Sequence, residues 1–166
     1  IDLNGSNTGL QISADQFNNN NTFTLTGNSA STNILTITGS TGADTVDMSG
    51  ITVNNASTRV TGGAGHDTFT GGDGNDIFNV NAGIDTITDL STGDILVISS
   101  LATANATNIS SFVATSSTSI AGTVNLSTQS SGGSINMSSA GGTGTFSLTG
   151  GSGIDNLTGS QENDTI

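Results

Sequence analysis

Residues 62–88 read GGAGHDTFT, GGDGNDIFN and VNAGIDTIT, three nine-residue units that follow one another without a gap. In each unit glycine holds the fourth place, aspartate the sixth and a large apolar residue the eighth. These residues are Gly65, Gly74 and Gly83, then Asp67, Asp76 and Asp85, and finally Phe69, Phe78 and Ile87. The hexapeptide DLSTGD at 89–94 follows and ends on Asp94, again an aspartate in a sixth place. Consecutive units that match G-G-x-G-x-D-x-U-x, where U is apolar, are typical of a parallel β-helix.

The residue types in this pattern suit tight turns that gather oxygen atoms around a cation. Glycine adopts positive φ angles and lets two backbone segments approach closely. Calcium is a hard ion that takes about six to eight oxygen ligands, so carboxylates and backbone carbonyls suit it and sulfur does not. The apolar eighth residue is expected in a short strand with its side chain in the core. Each unit therefore supplies half a metal cage and one core side chain, and needs a second coil stacked on it.

The charge of the chain is strongly one-sided. Its 166 residues include 13 acids and give a formal net charge of −12, and Arg59 is the only Lys or Arg. The acids between residues 67 and 94 are Asp67, Asp73, Asp76, Asp85, Asp89 and Asp94. Acids so crowded repel one another unless cations neutralise them. Nucleic acid and anionic membrane surfaces are not expected partners, because both need Lys and Arg.

Several common sources of stability are missing from the composition. The chain has no cysteine, so disulfides cannot staple it. No stretch approaches the roughly 20 apolar residues of a membrane span, so we expect no membrane insertion. No signal peptide is visible, and since the chain starts at Ile1 we expect that an upstream part was removed or lies outside this sequence. Stabilisation is therefore expected from metal ions and from the stacking of coils.

The segments before the central run also indicate β-structure. TFTLTG at 22–27 and ILTITG at 34–39 alternate apolar residues with threonine, which predicts half-buried strands. A helix over 10–18 is an alternative for the first segment, because its apolar residues share one helical face. Residues 39–47, GSTGADTVD, form another unit with Asp44 in the sixth place, and 48–61 are interpreted as an inserted coil or loop.

The segments after the central run are more varied. ILVI at 95–98 predicts a fully buried strand that seals the end of the run, whereas 99–131 is rich in Ser, Thr and Ala and fits either a short helix followed by strands or strands alone. Units begin again at 132, 141, 150 and 159, where the sixth places hold Met137, Phe146, Asp155 and Asp164. We predict a solenoid segment at 1–98, a linking segment at 99–131 and a second repeat segment at 132–166, within one continuous solenoid.

The units at 39–47, 62–94 and 150–166 resemble the repeats-in-toxin (RTX) family of calcium-binding proteins, and 132–149 resembles it in part. This resemblance implies an all-β fold, a right-handed parallel β-roll or β-helix solenoid in which two nonapeptides make one turn. Calcium would lie between one loop and the loop two nonapeptides further on, so that Asp67 pairs with Asp85 and Asp76 with Asp94. Asp44 would lack a partner, because residue 62 is glycine.

The same resemblance implies the metal ligands. Asp155 and Asp164 would need partners beyond the end of the chain, and backbone carbonyls of the glycine turns would complete each cage. The candidate calcium-binding residues are Asp44, Asp67, Asp73, Asp76, Asp85, Asp94, Asp155 and Asp164, together with the turn glycines Gly62, Gly65, Gly71, Gly74 and Gly83.

Nothing in the sequence indicates catalysis. The HExxH zinc motif and the GxSxG nucleophile elbow are both missing, and there is no cysteine for thiol chemistry. His66 is the only histidine and occupies a variable place in a unit, so it is interpreted as an exposed turn residue. We predict that the chain is not an enzyme.

The excess of Ser, Thr, Ala, Asn and Gly, the acidic charge and the lack of Lys and Cys resemble bacterial surface-layer (S-layer) proteins. That resemblance implies a secreted structural protein that self-assembles with calcium into a lattice or filament on the cell surface, with cell-surface polysaccharide as a further partner. The RTX resemblance implies export by type I secretion. The alternatives are the stalk of a secreted RTX adhesin, and the calcium-folding module of a secreted hydrolase or toxin.

Overall fold

The computed structural model describes residues 10–13, 22–26, 34–50 and 57–166, and within these ranges all regular structure is β-strand. The strands are β1 Leu10–Ser13, β2 Thr22–Thr26, β3 Ile34–Thr38, β4 Thr45–Gly50, β5 Ser57–Thr61, β6 Thr68–Thr70, β7 Ile77–Val80, β8 Ile84–Ile87 and β9 Ile95–Ile98. They continue as β10 Thr103–Ile109, β11 Ser111–Val113, β12 Ser119–Ile120, β13 Thr123–Thr128, β14 Ser134–Asn136, β15 Thr145–Thr149, β16 Asn156–Thr158 and β17 Asp164–Thr165. No helix in the described ranges is long and apolar enough to cross a membrane.

The strands form three parallel sheets around a common core. Sheet 1 has the order β1-β3-β5-β7-β9-β12, and sheet 2 has the order β2-β4-β6-β8-β10-β13-β15-β17. Sheet 3 is shorter and contains β11, β14 and β16. Because successive strands alternate between sheets 1 and 2 from β2 to β10, the chain winds as a solenoid. The predicted all-β solenoid is confirmed.

Alternation of apolar and polar residues explains why these short segments are strands. In β7, for example, Phe78 and Val80 are buried while the residues between them are only partly covered. The eighth-place residues Phe69, Phe78 and Ile87 are at most 1% exposed. The rings of Phe69 and Phe78 stack across the core with centroids 6.4 Å apart and planes 15° from parallel. The predicted core positions of the repeat are therefore confirmed.

The length of a coil varies along the solenoid. In the nonapeptide run β6 pairs with β8 and β7 with β9 in the 18-residue register, as the repeat implies. The preceding coil is 23 residues long, because Thr45 in β4 pairs with Thr68 in β6. The predicted insertion at 48–61 accounts for the difference. Its described parts are the end of β4 and the whole of β5, and residues 51–56 lie outside the described ranges.

Three expectations for segments outside the nonapeptide run can be compared with the structure. Residues 95–98 form β9, which has β7 on one side and β12 on the other, so the expectation that this strand seals an end is wrong. Residues 103–109 and 111–113 form β10 and β11 without any helix, and Ala104 and Ala106 alternate with polar residues at the period of a strand before the register shifts at Ile109. A helix was the alternative for 10–18, but residues 10–13 form strand β1. The rest of that range lies outside the described residues.

The final coils do not follow the nine-residue count. Ile135 in β14 pairs with Leu157 in β16, and the equivalent bond from Gly133 to Asp155 spans 22 residues. Sheet 3 gives these coils a third side, so more residues are needed per coil. The units that begin at 132 and 150 are therefore neighbours in space, but not in the register of the central run.

We expect Phe78→Ala to lower the free energy of unfolding by about 3–5 kcal/mol, because it empties a fully buried ring position. Urea denaturation followed by circular dichroism in calcium-containing buffer measures this value. Ile154→Ala is the matched control, since Ile154 is 95% exposed and its truncation leaves no cavity. Equal losses of stability in the two variants would contradict the assignment of Phe78 to the core.

Candidate metal centre

The aspartates of the repeat lie in turns at two opposite edges of the roll. In the aspartate-bearing coils, the turns that lead from sheet 1 to sheet 2 form the first turn row. Their ranges are 39–44, 62–67 and 81–83, and Asp85 follows the last of them as the second residue of β8. The turns that lead from sheet 2 to sheet 1 form the second turn row, and their ranges are 71–76 and 89–94. Parallel pairing of the strands stacks the turns of each row directly on one another, so that equivalent aspartates become neighbours.

Both predicted aspartate pairs are brought together. In the first row the backbone N–H of Asp67 donates to Oδ1 of Asp85 at 3.0 Å. In the second row the N–H of Asp76 donates to Oδ1 of Asp94 at 2.9 Å. All four side chains are buried, with exposures of 2% or less. The pairing predicted across two nonapeptides is thus present in the geometry, while the role of these aspartates as calcium ligands stays a prediction.

Asp44 also belongs to the first row, which corrects the expectation that it lacks a partner. Its backbone N–H donates to Oδ1 of Asp67 at 2.7 Å, across 23 residues and not the spacing of two nonapeptides. The expectation was wrong because the insertion lengthens this coil while the strands on either side keep their pairing. Asp44, Asp67 and Asp85 therefore form one continuous column.

The two aspartates near the end of the sequence have different surroundings. Asp155 accepts hydrogen bonds on Oδ1 from the N–H of Gly133 at 2.9 Å and from the hydroxyl of Thr128 at 2.5 Å. Both bonds come from the preceding coil, and the expectation that a calcium-sharing partner of Asp155 lies beyond the chain end stays a prediction. Asp164 is paired in the ladder with Phe146 and accepts a bond from its own turn.

The turn glycines make room for the carboxylates. A methyl group on Gly62 would overlap Oδ2 of Asp67, and one on Gly71 would overlap Oδ2 of Asp76. Gly65 and Gly83 have positive φ angles of 142° and 86°, and the α-carbon of Gly83 lies against the carbonyl oxygen of Gly65. Glycine is needed at these places because any side chain would fill the cradle or collide with the stacked turn.

One atom in each aspartate of the central pair has no partner. Oδ2 of Asp67 and Oδ2 of Asp85 are buried and accept no hydrogen bond from any described residue. An unpaired carboxylate oxygen removed from water is strongly destabilising unless a cation or a proton compensates it. Two carboxylates and neighbouring backbone carbonyls form an all-oxygen donor set that fits calcium. No described group of three or more His, Cys, Asp or Glu converges, so carbonyl oxygens would supply the remaining ligands.

Burial also perturbs the acidity of these groups. Loss of hydration raises the pKa of Asp76 and of Asp85 to about 7, and that of Asp94 to about 6. The pKa of Asp67 is raised for the same reason. Backbone N–H donors oppose this effect, and neighbouring aspartates add to it. Asp76 and Asp85 thus take up protons near neutral pH unless a cation replaces the proton.

The structure reveals two anchors that the sequence pattern did not single out. Asp89 accepts bonds from the N–H groups of Gly71 at 3.0 Å and Gly72 at 2.8 Å, so it holds the turn of the preceding coil. Asn81 accepts a bond from the N–H of Gly63 at 3.2 Å in the same way. A polar side chain placed two nonapeptides after a turn glycine is the signal that could have identified both.

Two further candidates fall outside the aspartate columns. Asp73 is exposed and lines an open groove with Asp89 and Ser91, so it is not part of a buried pair. His66 is exposed, and its Nδ1 lies 3.2 Å from both the backbone N and the carbonyl O of Ile84. Its predicted place as an exposed turn residue is confirmed.

We expect the metal-free protein to become more stable as the pH falls from about 7 toward about 4. The raised pKa values of Asp76 and Asp85 mean that the fold binds protons more tightly than the unfolded chain, whose carboxyls titrate near 3.8. This stabilisation is complete below the unfolded pKa and is lost as the pH rises through the folded pKa. Thermal melts of decalcified protein in calcium-free buffers of graded pH measure the effect.

Two comparisons sharpen this test. Asp85→Asn should flatten the pH profile, whereas Asp73→Asn, which alters an exposed aspartate, should leave it unchanged. Saturating calcium should also flatten the profile of the unmodified protein, because the ion replaces the proton. A metal-free fold that loses stability between pH 7 and pH 5 would rule out buried, proton-binding carboxyls.

One family model matches the repeats. It is described as RTX calcium-binding nonapeptide repeat (4 copies), and it covers residues 53–87 and 148–166. The first range contains the two glycine-rich turns of the central run, and the second contains Asp155 and Asp164. No curated protein and no solved structure matches the chain. The nonapeptides, the solenoid and this match together support the RTX family for the repeats of this chain, and RTX nonapeptide repeats bind calcium.

Proposed function

We propose that this chain is a non-enzymatic, calcium-stabilised structural module that self-assembles into a lattice or filament at the surface of a cell. The observation that carries the calcium part is the buried pair Asp67 and Asp85, each with one oxygen atom that has no partner. The RTX solenoid is a calcium-binding repeat module and is not catalytic by itself. RTX repeat proteins are typically secreted, which supports an extracellular location and export by type I secretion.

Calcium would act through the folding equilibrium. An ion that binds only the folded state stabilises that state more as its concentration rises. Extracellular calcium modules bind with dissociation constants of roughly 10⁻⁴ to 10⁻³ M, so they stay empty in the cytosol and fill outside the cell. The net charge is −12, so repulsion between the acids favours the unfolded chain until such ions bind.

The support for self-assembly comes from the outer face of sheet 2. One row of residues, here called the polar row, runs across all eight strands and contains only Thr, Asn and Ser. Its members are Thr22, Thr45, Thr68, Thr86, Asn105, Asn125, Ser147 and Thr165. Adjacent strands are about 4.8 Å apart, so the row is a regular array of hydrogen-bonding groups. Each member is exposed or half-buried.

The polar row differs from the turn rows in its charge, and the acid beside it on the same face is Asp47 in β4. The polar row has no acid, and side chains on the same face bond along the sheet, as Asn125 does to Asn105 at 2.8 Å and Thr70 to Thr88 at 2.7 Å. Two copies of a strongly acidic protein approach most easily through their least charged surfaces. The polar row is therefore our candidate contact between copies, and cell-surface polysaccharide is a further proposed partner for its hydroxyl and amide groups.

We expect calcium to produce ordered sheets or filaments of the purified protein, and removal of the ion to dissolve them. Electron microscopy before and after addition of EGTA, with circular dichroism on the same samples, measures assembly and folding together. Monodisperse rods that fold with calcium but do not associate would instead support a stalk in a secreted adhesin. Order that persists after chelation would contradict the calcium part of the proposal.

We expect Asn125→Asp to weaken assembly while the calcium-dependent fold is retained, because it places a charge in the middle of the polar row. Ser116→Asp is the matched control, since Ser116 is an exposed turn residue that lies outside this row. Sedimentation with calcium compares the assembled fractions. Equal assembly of both variants would remove the polar row as the contact and leave the calcium-binding module unaffected.

A further inference from the structure

The second residue of a turn is not the same along the solenoid. In 62–67 and 71–76 it is glycine, and Gly63 and Gly72 have positive φ angles of 101° and 93°. In three other turns a serine lies near the start of the turn: Ser40 and Ser160 hold the second place, and Ser91 holds the third. Asn108 is the only described non-glycine residue with positive φ, so the serines take the ordinary backbone conformation. These glycine turns and serine turns therefore differ in backbone shape as well as in side chain.

In the serine turns the aspartate is closed by its own turn. The N–H of Ser40 donates to Oδ2 of Asp44 at 2.6 Å, and the hydroxyl lies 3.1 Å from the same atom. The N–H of Ser91 donates to Oδ2 of Asp94 at 2.7 Å, with the hydroxyl at 3.2 Å. In each of these turns two donors of one serine therefore converge on Oδ2.

The third serine turn repeats this arrangement. The N–H of Ser160 donates to Oδ2 of Asp164 at 2.8 Å, and its hydroxyl is 3.1 Å from Oδ1. Three turns from distant parts of the chain thus close an aspartate with the same residue type. A carboxylate that accepts two such bonds is well stabilised without any ion, because bonds to an ionised acceptor are strong.

In the glycine turns the equivalent N–H points elsewhere. The N–H of Gly63 donates to Asn81, and that of Gly72 donates to Asp89, so both bonds go to the next coil. Oδ2 of Asp67 consequently has no hydrogen-bond donor, although the side chain is 1% exposed. Serine could not copy this arrangement without strain, since a side chain at positive φ is disfavoured.

We propose that a serine whose N–H and hydroxyl face the aspartate of its own turn substitutes for calcium, so that calcium binds at the open pair Asp67 and Asp85 and not at the serine-closed carboxylates. The closed carboxylates are those of Asp44, Asp94 and Asp164. In these three turns the serine therefore removes the need for an ion. This inference rests on the calcium part of the proposed function, and it does not depend on self-assembly.

The chain offers a direct test in Ser40→Gly. This change gives the turn 39–44 the sequence GGTGAD, which has the form of GGAGHD at 62–67, and it removes the hydroxyl that faces Asp44. Isothermal titration with calcium alone counts bound ions. We expect Ser40→Gly to bind an additional ion per chain, at the column that already joins Asp44 to Asp67.

Two controls separate the effect of the turn from the effect of losing a serine. Ser49 also donates to an aspartate, Asp47, through its N–H at 3.0 Å and its hydroxyl at 2.6 Å, but it lies outside the turns. Ser49→Gly should keep the ion count of the unmodified protein. Ser40→Ala keeps the backbone donor and the ordinary φ, so it should also keep that count.

The position of the ions gives a second and independent measurement. In a crystal of the unmodified full chain grown with calcium, we expect density for an ion beside Oδ2 of Asp67 and Asp85, with the bond from Ser40 to Asp44 intact. An ion on Oδ2 of Asp44 or Asp94 would overturn the proposal, and so would an unchanged ion count in a folded Ser40→Gly variant. If Ser40→Gly fails to fold, the crystal of the unmodified protein decides. A chain that binds no calcium at all would instead defeat the calcium part of the proposed function.

Discussion

The structure depends on carboxylates that are buried between stacked turns. One oxygen of each aspartate in the central columns accepts the backbone N–H of the coil before it, as Asp85 does from Asp67 at 3.0 Å. This bond fixes how successive turns stack along the solenoid axis. It also holds the second carboxylate oxygen in the interior, away from water. A proton, a serine or a cation must then compensate that second oxygen. The buried aspartates, the glycine turns and the proposed role of calcium are all linked to this single arrangement.

Strand pairing, and not the count of residues, sets which turns meet. A long coil and the regular coils of the central run place their aspartates in the same column, because β4, β6 and β8 pair side by side. In the sequence, the extra residues fall between β4 and β5. A solenoid built in this way tolerates insertions, because backbone hydrogen bonds within each sheet keep the turns aligned whatever lies between them.

Much of the central run could be predicted from the sequence, because three residue types recur at fixed places and each has one physical role. Phe69 and Phe78 had to be core, and Asp67 had to meet Asp85, once the pattern was recognised. The partner of Asp44 was predicted wrongly because a repeat period carries no information about an insertion. Residues 99–131 stayed open because Ala and Thr fit helix or strand equally well, and only neighbouring strands decide between them. The third sheet has no signature in any single segment, since it arises from the pairing of β11, β14 and β16.

The two regions of the solenoid are stabilised by different means, although they share one sheet. From β10 to β15 the chain has no acid, and its core is filled by small and branched residues such as Ala104, Val124 and Leu126. These coils gain hydrophobic stabilisation and carry no charge that an ion must neutralise. β8 pairs directly with β10. The acid-free coils therefore provide an already formed strand to which the strand that contains Asp85 can hydrogen-bond. If calcium binds as proposed, we expect its loss to weaken the acidic turns first, while the uncharged coils keep the strand edge on which those turns can form again.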